Sequence, residues 1–335
     1  MDILPGAYSL ISRTACRARS ALVRAGILAP RRAPIPVVSV GNLTVGGSEK
    51  TPLVMEILAF LADRGTRAAL VSRGYKGRWE QSGGTLSDGN RLLGGWRESG
   101  DEPYMIASRF PRVGVYLGKH RYRSCLAAAA AGFEIAVLDD GFQHVKLARN
   151  LDIVIHDPAS RAPFREGFSA LRRADVLLLK HPEASSVAAI RKRFPRLAVF
   201  EYAVEAKGLT SLAGGELLPP DTLRGRRISA FCGIARPHRF FETLESLGLR
   251  PEARTAFPDH FDYPESALAR LAAEGAAGPS DAFVTTEKDA VKLRGRNGGL
   301  EPVPVYVLRI GLALPTGFFA AIEGFIRSRK GAAGV

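Results

Sequence analysis

Short unbroken apolar runs alternate along this chain with stretches whose apolar positions recur every three or four residues. That is the pattern of buried strands interleaved with amphipathic helices. The first run, Pro36-Val37-Val38-Ser39-Val40-Gly41, leads through a glycine pair into a helix predicted over Leu53–Leu61 from the spacing of Leu53, Ile57, Leu58 and Leu61. Further buried strands are predicted at Ala68–Val71, Ile135–Leu138, Asp152–Ile155 and Asp175–Leu179. Strands that alternate with helices imply a parallel sheet with right-handed crossovers. A helix is expected from Gly100 to about Phe110 with Asp101 at its N-cap, whereas the glycine-rich, polar segment Gln81–Gly95 reads as a mobile loop.

Near Val204 the texture changes. Two short apolar runs about Gly214-Gly215 read as a hairpin ending at Pro219-Pro220. A second α/β segment then restarts with a strand at Ile228, a helix carrying Phe240, Phe241, Leu244 and Leu247, and a strand at Ala282–Thr286. The charged stretch Glu287–Lys292 reads as a turn. At the other end of the chain, Leu4, Tyr8, Ile11, Ala15, Ala18 and Leu22 draw one apolar stripe with Arg13, Arg17 and Arg24 roughly opposite. Such a basic amphipathic helix suits the surface of an anionic membrane, or packs on the domain with its arginines in water. The expected domains are an N-terminal helix over 1–32, a core over 33–205, a hairpin linker over 206–224 and a smaller α/β domain over 225–335.

Composition narrows the partners. A chain of 335 residues that is 46% hydrophobic and 24% charged can bury a sizeable core, and its net charge of +14 points to an anionic partner. Nucleotide phosphates, nucleic acid and an acidic membrane surface all qualify. Three widely spaced cysteines, Cys16, Cys125 and Cys232, indicate neither a disulfide framework nor a zinc site. No apolar run reaches the roughly 18 residues needed to span a bilayer, and the N-terminus lacks a signal-peptide core.

Candidate chemistry sits at the ends of the predicted strands. Thr44-Val45-Gly46-Gly47-Ser48-Glu49-Lys50-Thr51 joins the first strand to its helix, the setting of a phosphate-binding loop. Its backbone N–H groups would cradle polyphosphate, Lys50 would reach the terminal phosphates and the Thr51 hydroxyl would hold Mg²⁺. The pattern G-x-x-x-x-G-K-[ST] wants glycine where this chain has Thr44 and Glu49, and a carboxylate beside the phosphate lysine could repel the nucleotide. Asp139 and Asp140 close a short apolar strand, where nucleotide-handling proteins place Mg²⁺ carboxylates. Arg73-Gly74-Tyr75-Lys76 after the second strand is either a phosphate clamp or a solvated loop. His260, in a loop after Asp259, is a better proton-handling candidate than His156, which closes a buried strand, and Asp101 is a carboxylate it could orient.

Together, Val40-Gly-Asn-Leu-Thr-Val-Gly-Gly, Lys50-Thr-Pro52, Ser72-Arg-Gly-Tyr75, Gly100-Asp-Glu-Pro103, Asp139-Asp-Gly-Phe-Gln-His144, Phe257-Pro-Asp-His260 and Thr286-Glu-Lys-Asp-Ala-Val-Lys292 resemble the tetraacyldisaccharide 4'-kinase family, the lipid A 4'-kinases. The resemblance covers nearly the whole chain in the same order. It implies an α/β fold, a P-loop NTPase-like parallel sheet with flanking helices, plus a smaller C-terminal α/β domain joined through a β-hairpin linker. It also implies ATP and Mg²⁺ as cofactors and transfer of the γ-phosphate to the 4'-hydroxyl of a tetraacylated glucosamine disaccharide 1-phosphate, giving lipid IVA. Carried over by position, residues Thr44 to Thr51 bind nucleotide, and Thr51, Asp139, Asp140 and Glu166 hold the metal. Asp101 is the base with His260 supporting it, and Arg73 and Tyr75 face the disaccharide. The expected setting is peripheral, on the cytoplasmic face of the inner membrane, with the acylated disaccharide and the membrane surface as partners and no nucleic acid or obligate protein partner.

Two departures stand out: Glu49 in place of a glycine, and Phe261 where the family commonly has a second histidine. The first leaves an alternative open, a catalytically impaired nucleotide-binding P-loop protein at the membrane. A nucleic-acid-binding P-loop protein is a third class, though no stacking aromatics interleave with the arginines as such grooves require.

Overall fold

Val37–Asn42, six consecutive buried residues, form strand β1. An unbroken buried run of this kind fits a strand covered on both faces, as in parallel sheets. The computed structural model describes residues 28–45, 49–278, 280–295, 300 and 302–330. The amphipathic stripe expected before residue 28, and Gly46, Gly47 and Ser48 of the phosphate loop, lie outside the described residues.

The chain divides into two compact units, one made of the chain through Ser99, Ile106–Ala203 and the segment from Leu312, the other of Gly100–Met105 and Val204–Gly311. In the first unit β1 is followed by helix α1 (Lys50–Asp63), β2 (Ala68–Ser72), the short helix α2 (Trp79–Ser82), β3 (Gly84–Asp88) and α3 (Trp96–Ser99). Then come α4 (Asp101–Arg109), whose residues up to Met105 group with the second unit, β4 (Gly114–Leu117), α5 (Arg121–Ala130), β5 (Ile135–Leu138), β6 (Leu151–His156), β7 (Val176–Lys180), α6 (Ala184–Arg193) and β8 (Ala198–Ser211). The strands lie in the order β8-β7-β6-β1-β5-β2-β4-β3. All neighbours are parallel except β3, which runs antiparallel to β4. Gln81–Gly95, expected as a loop, therefore contains a strand. Leu86 and Ser87 are buried and the Ser87 hydroxyl donates to the Val113 carbonyl at 2.9 Å, so this polar segment is held as an edge strand that hydropathy alone does not reveal.

Because β1 lies between β5 and β6, the loop after β1 and the turn after β5 emerge side by side at the carboxyl end of the sheet, where open α/β folds bind ligands. The close packing there explains one glycine. A Cβ on Gly41 would stand 2.4 Å from Cβ of Phe142, so only glycine lets β1 pass this turn.

In the second unit, β9 (Ile228–Cys232), α7 (Pro237–Ser246), β10 (Ala253–Ala256), α8 (Glu265–Ala277), β11 (Ala282–Thr286), α9 (Glu287–Leu293) and β12 (Val305–Ala313) build a parallel sheet in the order β10-β9-β11-β12. One face buries Phe240, Phe241 and Leu244 of α7; the other buries Phe257, Tyr263, Leu268 and Leu271. The predicted hairpin is present: Leu209 and Leu218 exchange backbone hydrogen bonds of 2.8 and 2.7 Å. Its residues, read as a linker over 206–224, group with the second unit. The last helix, α10 (Thr316–Lys330), groups with the first unit rather than with residues 225–311. Phe319 stacks on Phe60 of α1 at 4.9 Å between ring centroids and Phe318 meets Phe200 edge-on, so aromatic packing draws the C-terminal segment back.

Candidate functional site

In the first unit, β1 ends in a buried asparagine that organises the loop and the helix beyond it. Asn42 Nδ2 donates to the Thr44 carbonyl at 2.7 Å, and Asn42 Oδ1 accepts from Lys50 Nζ at 3.2 Å. Thr44 and Val45 are pinned against the segment before Glu166: Thr44 forms an antiparallel bridge to Phe164, and Val45 N–H donates to the Pro163 carbonyl at 2.8 Å. Helix α1 then opens at Lys50, with Glu49 at its N-cap and Thr51 in its first turn. The first N–H groups of a helix have no partner within it and carry the positive end of its dipole. Pro52 costs nothing there because its missing N–H would be among them.

Asp140 is the hub of charge. Lys50 Nζ lies 3.2 Å from its Oδ1, and Arg165 Nη1 donates to both oxygens at 3.0 and 2.8 Å. Crowding by protein atoms would raise its pKa, but Lys50 and Arg165 outweigh that and hold the carboxyl below the ordinary range. Asp139 is buried, and so is Glu166, whose Oε2 pairs with Arg173. Among the described residues no three acidic, histidine or cysteine side chains form a metal-holding cluster. Asp140 and Glu166, expected at the metal together, have separate cationic partners. Glu49 occupies the left-handed region with φ 54°, which glycine adopts without strain, and its carboxylate meets Lys180 and Tyr202. Arg73 pairs with Glu80 at 2.7 Å, and Tyr75 is exposed on the same turn. Arg121, which nothing in the sequence pattern singles out, is buried; burial lowers its pKa to about 10 against the opposing pull of Asp139 and Asp140.

The second unit brings Asp101 and His260 together. His260 Nδ1 stands 2.9 and 3.0 Å from the two Asp101 oxygens, so Nδ1 carries the proton and donates. Nε2 then accepts from Lys288 Nζ at 3.3 Å. Lys288 also binds Asp259 at 3.0 Å and lies 3.6 Å from Glu102. Lys292 places its ammonium 2.9 Å from Asp101 Oδ2. Burial pushes the Asp101 pKa up, yet the His260 hydrogen bond, Lys292 and Lys288 together hold it well below the usual carboxylate range.

Both lysines come from the stretch read as a charged turn, which is helix α9 instead. Thr286 caps it, its hydroxyl accepting from Asp289 N–H at 3.2 Å, and Asp289 returns a carboxylate to Thr286 and to Gly233 N–H. A Thr-x-x-Asp box with lysines four apart, one inside it and one after it, is a helix-start signal with one cationic face. That was the clue available in Thr286–Lys292. Asp101 itself lies in the first turn of α4.

A parallel sheet whose central strand feeds a loop into a helix-opening lysine, with an aspartate from the next strand on that lysine, defines the P-loop class of phosphate-binding proteins. The model of one family, described as tetraacyldisaccharide-1-P 4'-kinase, matches residues 4–327. Relatives named tetraacyldisaccharide 4'-kinase include one from Anaeromyxobacter dehalogenans, 41% identical over 88% of this chain and 82% of that protein. Another, from Geobacter metallireducens, is 36% identical over 92% and 94%. The crystal structure of LpxK from Aquifex aeolicus in complex with ATP superposes with a TM-score of 0.74 at 30% identity, covering 95% of this chain and 97% of that one. The chain belongs to the tetraacyldisaccharide 4'-kinase family.

Proposed function

We propose that this protein transfers the γ-phosphoryl group of ATP to the 4'-hydroxyl of a tetraacylated glucosamine disaccharide 1-phosphate. Membership of the family across residues 4–327 carries the reading. In the reaction the bond between the γ-phosphorus and its bridging oxygen breaks, a new bond forms to the sugar oxygen, and the hydroxyl proton must be accepted. Transition states of this kind are loose, so positioning and charge neutralisation matter more than a strong base.

Lys50 and the N–H groups opening α1 are assigned to the phosphates. The residues also fit Mg²⁺. Glu166 keeps a buried oxygen, Oε1, without a hydrogen-bond partner among the described residues, and nucleotide-bound Mg²⁺ needs only one or two protein carboxylates. Thr51, Asp139, Asp140 and Glu166 would hold the ion, which when bound neutralises charge on the transferring phosphates. Asp101 is assigned to the acceptor proton. Its depressed pKa keeps it ionised at neutral pH, and His260 and Lys292 fix its orientation while leaving lone pairs for the hydroxyl. Arg73 and the exposed Tyr75 are assigned to the disaccharide, and the opening amphipathic segment to the membrane that carries it.

No described helix is long and apolar enough to cross a membrane. ATP as donor and an acylated acceptor favour a peripheral position on the cytoplasmic face of the inner membrane. The impaired-protein alternative rested on the charge of Glu49, and that carboxylate meets a lysine. Incubating the purified protein with γ-labelled ATP and disaccharide 1-phosphate in detergent micelles tests the reading. Label should pass to the 4' position, and intact ATP binding without any label transfer would refute it.

A further inference from the structure

The residue that breaks the phosphate-loop pattern has a built surrounding. Lys180 ends β7, and its register partner on the longer strand β8 is Tyr202, so the two stand side by side on adjacent parallel strands at the level where β7 ends. Paired residues in a parallel sheet present their side chains on the same face. Glu49 meets both of them: Lys180 Nζ lies 3.5 Å from Oε1, and the Tyr202 hydroxyl donates to Oε2 at 3.4 Å. One carboxylate oxygen thus takes the cation and the other the phenol. The Glu49 side chain is only 10% exposed and that of Lys180 19%, so the pair is shielded from solvent and counter-ions. The sequence separations are 131 and 153 residues, which is why a linear reading of the loop sees only an uncompensated acid.

Glutamate at this position poses two physical problems, a left-handed backbone and a negative charge adjacent to the phosphate lysine. The first is borne as local backbone strain, with Glu49 at φ 54°. We propose that the second is met by Lys180 and Tyr202, which act as positioning residues for ATP: they fix the Glu49 carboxylate and cancel its charge so that the loop stays attractive to polyphosphate. A carboxylate near a triphosphate in a partly desolvated site repels it strongly, whereas an ion pair presents only a dipole. Lys180 therefore supports nucleotide binding through Glu49 and touches no phosphate itself. The inference rests on the assignment of this loop to ATP.

The test is a rescue experiment with Mg²⁺ and a non-hydrolysable ATP analogue in titration calorimetry, supported by steady-state kinetics. Lys180→Met should weaken the analogue at least tenfold and raise KM for ATP while kcat and KM for the disaccharide stay near wild type. Adding Glu49→Gln to the same chain should bring the affinity back to within about threefold of wild type, because the charge that needed cancelling is gone. Tyr202→Phe should weaken binding by less than Lys180→Met. Unchanged affinity in Lys180→Met, or a double variant as weak as the single one, would overturn the inference, the latter by showing that Lys180 acts on the nucleotide directly. Wild-type binding that is lost in Lys50→Ala yet indifferent to Lys180→Met overturns this inference alone, whereas no binding in the wild type overturns the loop assignment as well.

Discussion

Lys292 Nζ lies 2.9 Å from Asp101 Oδ2 with the two side chains 1% and 5% exposed, a buried ion pair between residues 191 positions apart. With the His260 hydrogen bond and Lys288, the pair keeps this buried carboxylate ionised. Removing one partner of a buried pair is far more costly than the pair is stabilising, since a lone charge is left without solvent.

In Lys292→Met, Asp101 keeps its burial and its His260 bond but loses a full positive charge 2.9 Å away. The acid limb of the kcat profile should move to higher pH by about 1 unit or more, the size of shift a close opposite charge produces. A pH–rate profile carried from pH 8 down to the lowest pH at which both proteins stay folded checks it: the variant should lose rate at a higher pH than the wild type, and coincident acid limbs would remove Lys292 from this role.

Stability should depend on the same carboxylate. Asp101 has a folded pKa below its unfolded value, so its contribution is fully present above the unfolded value of about 3.9 and is lost as pH falls through the folded one. Urea midpoints of the wild type should decline below about pH 4, and the decline should flatten in a variant carrying both Asp101→Asn and Lys292→Met. Equal slopes in the two proteins would show that other carboxylates dominate.

Lys50 connects the loop to Asp140 and to Asn42. Lys50→Met should reduce kcat/KM for ATP by at least about 100-fold, in line with loss of a charge that stabilises the transferring group. Folding should survive, because Arg165 still neutralises Asp140. Initial rates at varied ATP, with a melting curve alongside, measure both.

Gly41→Ala forces a Cβ to 2.4 Å from that of Phe142. Overpacking of this kind costs about 1–3 kcal/mol, which in a domain of this size lowers Tm by roughly 2–10 °C. Differential scanning calorimetry gives the shift directly, and a Tm equal to wild type would mean that the turn after β5 yields easily.

Much of this arrangement was legible in the sequence. The run Val37–Asn42 and the strand closing at Asp139 stand out because a strand buried on both faces leaves a mostly apolar signature without polar alternation. Asp101 and His260 were legible as a pair through the resemblance and through their residue types. The polar edge strand β3 was not, since its stability comes from neighbours and a buried serine rather than from hydropathy. Helix α9 reads as a turn in the sequence because its seven residues carry four charges, and only its cap betrays it. Neither Lys292 nor Lys180 could be assigned from the chain, because each acts on a carboxylate more than a hundred residues away.

We assign Asp101 to the acceptor hydroxyl and not to the nucleotide. Single-turnover transfer by Asp101→Asn, measured together with ATP affinity on the same preparation, decides this assignment. Transfer should fall by about 10²–10⁴, the usual contribution of a general base, while ATP affinity stays within twofold of wild type. Transfer within tenfold of wild type, or a parallel collapse of ATP affinity in a folded protein, would contradict it.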